Sequence, residues 1–139
     1  PTLEQLAGVG GDNERYDVEL RPQLAVNMIR ELQNDGVEPD VWKLEGFEDK
    51  TSYELVVKQA QSGARQNVGV IILGRGQDES EVEQWLEAGR GVPEVIGFAV
   101  GRTVFWQALV QYRDGKIIAE QAARIIAERY LHFYQVFKS

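Results

Sequence analysis

Lys43 and Glu45 stand two residues apart in Asp40-Val41-Trp42-Lys43-Leu44-Glu45, a stretch in which two sets of residues alternate. Trp42 and Leu44 form one set, and Val41, Lys43 and Glu45 the other, which is the two-residue period of a strand. A lysine removed from water loses its ammonium form more readily. Its neutral amine can then attack a carbonyl and form a Schiff base. Glu45, on the same face, is placed to exchange protons with such a lysine or to hold its charge. The plainer alternative is an exposed Lys43–Glu45 ion pair on a sheet with one solvated face.

A second kind of chemistry is suggested twice. Val70-Ile71-Ile72-Leu73 ends in Gly74-Arg75-Gly76, and Gly97-Phe98-Ala99-Val100 ends in Gly101-Arg102-Thr103. Apolar runs of this length, flanked by helical patterns, suit buried parallel strands. A glycine at the carboxyl end leaves room for backbone amides to approach a ligand, and the arginine beside it suits phosphate or carboxylate. Two successive junctions put two anion-recognising turns at the sheet end where ligands usually bind. Arg102 is the better placed, between a strand and a helix start whose free amides favour an anion. Arg75, beside Gln77, Asp78 and Glu79, is also readable as a surface turn residue. Neither turn matches a Walker loop or a dinucleotide fingerprint.

These residues need a scaffold, and its outline is readable. Pro22 opens an amphipathic helix with Ala25, Met28, Ile29 and Leu32 on one face, closed by Gly36. Strands follow at 40–45, 68–73 and 95–100. Thr51-Ser52-Tyr53-Glu54 has capping-box spacing and begins a helix to about Ser62. Gln77 to Ser80 lead into a helix carrying Val82, Trp85 and Leu86. Thr103 is placed to cap a short helix, and Ile118, Ala122, Ile125, Ile126, Tyr130, Phe133 and Phe137 line a long closing one. A helix followed by strand–helix units predicts an α/β fold with a parallel sheet and right-handed crossovers. Residues 1–21, rich in glycine and polar groups, read as loop or weak helix. Three strands with open edges predict either further strands outside this sequence or self-association of the chain, with Val41, Ile72 and Phe98 among the apolar groups left uncovered.

Composition narrows the partners. The 139 residues suit one domain, and 43% hydrophobic residues suffice for a core. A net charge of −7 opposes general binding to nucleic acid or an acidic membrane surface. No apolar stretch reaches a membrane span, and no basic segment followed by an apolar run opens these residues. There is no cysteine and only one histidine, His132, so neither thiolate chemistry nor a histidine-based metal cluster is expected. The acidic group Asp78, Glu79, Glu81, Glu83 and Glu87 reads as a solvated helix face, and His132 as a structural or surface residue. A cytoplasmic location is the expectation.

Residues 39–45 resemble the Schiff-base lysine strand of class I aldolases of the tagatose-bisphosphate and DhnA type. Ile96-Gly97-Phe98-Ala99-Val100-Gly101-Arg102-Thr103-Val104-Phe105-Trp106 resembles their last-strand phosphate site. The chain as a whole is similar to the aldolase-like domain (DUF2090) fused in some bacteria to the 5-dehydro-2-deoxygluconokinase of inositol catabolism. The resemblance implies the C-terminal part of a (β/α)₈ barrel, about strands six to eight, with residues 1–21 following a missing strand. By that likeness Lys43 is the imine-forming lysine, Glu45 serves it, and Gly74, Arg75, Gly76, Gly101 and Arg102 hold phosphate. The implied activity is Schiff-base retro-aldol cleavage of a phosphorylated ketose, such as 2-deoxy-5-keto-gluconate 6-phosphate, without metal or other cofactor. A fused or associated sugar kinase is an implied partner. A non-catalytic phosphosugar-binding or regulatory module on the same scaffold is the alternative.

Overall fold

A computed structural model describes residues 1–76 and 78–139. The chain opens with α1 (Leu3–Gly8), α2 (Asn13–Arg15) and a π-helical turn at Tyr16–Leu20, then α3 (Arg21–Asn34). Residues 1–21 are thus mostly helical. Pro22 sits in the first turn of α3, where its missing N–H costs nothing, and Gly36 follows the helix with a φ of +81°.

Three strand–helix units complete the chain: β1 (Val41–Glu45) with α4 (Lys50–Ala60), β2 (Gly69–Leu73) with α5 (Glu79–Gly89), and β3 (Val95–Ala99) with α6 (Arg102–Arg113), before α7 (Ala119–Lys138). The strands are parallel and run in the order β1-β2-β3. The fold is therefore mixed α/β around a small parallel sheet. Two caps differ from those the sequence suggests. Asp49, not Thr51, caps α4 by accepting from the Ser52 amide at 2.9 Å, and Gly101 rather than Thr103 precedes α6. A carboxylate accepts the free amides of a first turn as well as a hydroxyl does, and Asp49 lies two residues earlier. Asp78 caps α5 through the Glu81 amide at 3.0 Å, while Gln77 lies outside the described residues.

One face of the sheet carries the core. Trp42, Val70, Ile72 and Val95 are buried with Tyr53, Val56, Trp85, Leu86 and Phe133 from the helices. Each fully buried large side chain contributes about 1.5–3 kcal/mol by leaving water. Ile72 is wholly buried on this face, and Phe98 packs on Tyr130 and Phe137 of α7. Of the three apolar residues expected on the uncovered face, Val41 alone is there, 40% exposed. The correction has a simple cause: register pairs Trp42 with Val70 and Leu44 with Ile72, and Ile72 with Phe98, so all follow Trp42 toward the helices.

Lys43 aligns with Ile71 and Gly97 on the opposite face, and Glu45 with Leu73 and Ala99. Helices do not bury this face. Lys43 is exposed and Glu45 half-buried, so the buried environment expected for the lysine is not formed by these residues alone.

Candidate functional site

At the carboxyl ends of the strands, Lys43, Glu45, Leu73, Gly74, Arg75, Gly76, Ala99, Gly101, Arg102 and Phe105 line one cleft of about 470 Å³. Every residue singled out from sequence for chemistry is among them. Their convergence follows from topology, since three parallel strands bring their carboxyl-terminal turns to one rim.

The first junction is a turn with left-handed backbone. Arg75 has a φ of +53° and Gly76 of +84°. A Cβ on Gly76 would lie 2.5 Å from Nη2 and 2.8 Å from Cζ of Arg102. The absence of a side chain there is what lets the Arg102 guanidinium rest on the turn, where Nη2 donates to the Arg75 carbonyl at 3.3 Å. Gly74 is needed for packing instead, because a Cβ would press on Val100 at 3.1 Å and Val82 at 3.4 Å. Gly101, which begins the second junction, has ordinary room, with Phe105 the nearest neighbour at 3.4 Å.

The two arginines meet different surroundings. Arg75 Nη1 donates to both Asp17 carboxylate oxygens, at 3.2 and 3.4 Å, and stands 3.6 Å from Glu45 Oε2. Partial burial works against the Arg75 charge. The carboxylates of Asp17 and Glu45, the Asp17 hydrogen bond and Glu81 together outweigh it and hold the guanidinium pKa above its ordinary value. Arg102 is exposed at the start of α6, and no carboxylate pairs with it among the described residues.

Behind the first junction lies a network that the sequence did not disclose. Arg21, 7% exposed, donates from Nε to Asp17 at 2.8 Å and from Nη1 to the Gly46 carbonyl. Its Nη2 lies 3.7 Å from Glu48, and its guanidinium stands 5.0 Å from the Phe47 ring centre and 5.7 Å from that of Trp85. Glu48 accepts from Trp85 Nε1 at 2.8 Å. Asp17 and Arg21 carry one readable sign, the four-residue separation at which a helical carboxylate and guanidinium meet. Burial pushes the pKa of Glu81, on α5 beside this group, above its ordinary value; Glu48 and Asp78 add to the shift and Arg75 opposes it.

His132 lies elsewhere, on α7, close to Glu83 of α5. One ligand atom each from Glu79, Glu83 and His132 falls within 4.8 Å of the others. The acidic helix face and the lone histidine, read separately in the sequence, are thus neighbours.

A family model described as an uncharacterized protein conserved in bacteria (DUF2090) matches residues 13–139. The chain belongs to this family. No curated protein and no solved structure matches it. The matched span of the DUF2090 chain includes Asp17 and Arg21 as well as all ten residues named above for the cleft. No helix among the described residues is long and apolar enough to cross a membrane.

Proposed function

We propose that this DUF2090 chain is the C-terminal part of a (β/α)₈ class I aldolase-like enzyme that cleaves a phosphorylated ketose. The observation that carries the reading is the single cleft at the strand ends, in which an amine, a carboxylate and two glycine–arginine turns face one space. In the reaction, Lys43 Nζ adds to the substrate carbonyl carbon, and loss of water gives an iminium. As a base takes the proton of the β-hydroxyl, the bond between the α and β carbons breaks and its electron pair passes to the iminium, so an aldehyde leaves and an enamine remains. Protonation of the enamine and hydrolysis return the lysine. Glu45 exchanges protons with these intermediates. Arg102, the free amides at the start of α6 and the backbone amides near Gly74 hold the phosphate.

Imine formation needs the unprotonated amine, so the open face around Lys43 must be covered in the working enzyme. On this reading further strands, or a second copy, cover it and pair with the free edges of β1 and β3. The likeness to a domain that accompanies a sugar kinase supports a sugar phosphate such as 2-deoxy-5-keto-gluconate 6-phosphate as substrate.

The exposure of Lys43 favours one second reading, a phosphosugar-binding module without catalysis. Borohydride trapping separates the two. In the intact parent protein, with dihydroxyacetone phosphate as the probe, an imine-forming Lys43 gains the probe's mass on reduction well ahead of the other lysines, and Arg102→Ala removes that preference. Uniform labelling of all lysines, or none, overturns the aldolase reading. Lys43→Arg keeps the charge and abolishes trapping.

A further inference from the structure

Asp17 is bonded to two arginines at once: it accepts from Arg21 Nε at 2.8 Å and from Arg75 Nη1 at 3.2 Å. The Arg21 side is buried and fixed by the Gly46 carbonyl, so Asp17 is held from behind and presents its remaining acceptor capacity to the cleft rim. Asp17 is itself nearly buried, with a side chain 14% exposed. Arg75 meets it there through Nη1, the same nitrogen that stands 3.6 Å from Glu45 Oε2. A guanidinium shared between two carboxylates has little net charge to offer an incoming anion, and an anion would have to displace the carboxylates beside it. Arg102 carries no such pairing among the described residues and lies against Gly76, at the other side of the same turn.

We infer that Asp17 is a positioning residue that sets the anion specificity of the cleft. By withholding Arg75 it leaves Arg102 as the one guanidinium that meets the ligand, which fits the cleft to a single phosphate group and against anions of higher charge. The inference rests on the cleft being the phosphate site proposed above, and it adds a residue 58 positions away from Arg75 as the determinant of selectivity.

Calorimetric titration of the chain with inorganic phosphate and with pyrophosphate tests it. Asp17→Asn frees Arg75 and tightens pyrophosphate roughly tenfold, the size of one added charge-assisted hydrogen bond, while phosphate changes less. Arg75→Ala alone leaves both affinities within about twofold, since a withheld arginine contributes little. Arg75→Ala in the Asp17→Asn background erases the gain. A loss of thermal stability is expected of Asp17→Asn in either case, since it breaks the pair with Arg21; a purely structural Asp17 would weaken both anions together, and that result overturns the inference. So does an Arg75→Ala loss as large as that of Arg102→Ala, an arm that decides the matter even where Asp17→Asn does not fold. Failure of Arg102→Ala to weaken phosphate is a different outcome, and it overturns the phosphate site itself.

Discussion

The two glycine–arginine junctions are nearly the same in sequence and opposite in circumstance. At Gly74-Arg75-Gly76 the backbone is left-handed at two successive residues, and the arginine is enclosed by Asp17 and Glu45. At Gly101-Arg102-Thr103 the backbone has no positive φ, and the arginine opens a helix of 12 residues and is exposed. A short motif therefore does not define a side chain's role; what lies behind it does. The first junction is a strut that joins the N-terminal segment to the sheet, and the second is the part with a charge to spare. They are coupled through Gly76, whose bare backbone seats the Arg102 guanidinium.

The largest effect is expected where the first junction is anchored. Arg21→Met keeps bulk beside Phe47 and Trp85 but removes the cation between Asp17 and Glu48. Leaving these largely buried carboxylates short of a partner costs on the order of 3 kcal/mol, at the low end for such losses because they keep some contact with water and Asp17 retains Arg75. Chemical denaturation measures it. A cost below about 1 kcal/mol would mean that the network is not what holds the first junction, and the contrast with the second would lose its basis.

A smaller effect sharpens the coupling between the junctions. Gly76→Ala forces a Cβ into left-handed backbone, at about 1–2 kcal/mol, and pushes the Arg102 guanidinium off the turn. Gly101→Ala, with ordinary room and a negative φ, changes stability by about 0.5 kcal/mol or less. Thermal melts compare the two. Phosphate affinity should fall with Gly76→Ala almost as far as with Arg102→Ala; an unchanged affinity would show that the seat on Gly76 does not position the arginine.

The same contrast explains what could be read from the sequence. Strands and helices were legible because their signals are local: alternation around Trp42, Pro22 at a helix start, Gly36 at its end. The convergence of the seven cleft residues named from sequence was legible because parallel topology collects carboxyl-terminal turns at one rim. The phase of the continuous apolar runs was not, since Val70-Ile71-Ile72-Leu73 has no alternation to read; register with Trp42 decided it and turned Ile72 and Phe98 toward the helices. Asp17 and Arg21 were missed for another reason. They lie in a stretch without hydrophobic periodicity, and their partners Arg75 and Gly46 are distant in the chain. Nothing local distinguishes a tertiary ion pair from a solvated one.

The smallest expected effect tests whether the first junction holds more carboxylate than it needs. Asp17, Glu45, Glu48 and Glu81 share Arg21 and Arg75, and the carboxyl of Glu81 has its pKa raised by burial first and by Glu48 next. A folded-state pKa above the unfolded value of 4.5 means that the folded chain disfavours the ionised form. Stability from protonation is then fully present below the unfolded pKa and lost as pH rises through the folded one. Glu81→Gln removes the ionised form altogether, so it should stabilise the chain at pH 7 by a few tenths of a kcal/mol, roughly the scale of a surface substitution. Below pH 4.5 the difference should vanish, because wild-type Glu81 is then protonated in both states. Melting temperatures of the two proteins across this range give the answer. A variant that is less stable at pH 7 would show that Glu81 is needed as a partner of Arg75, and that the first arginine is not already satisfied by Asp17 and Glu45.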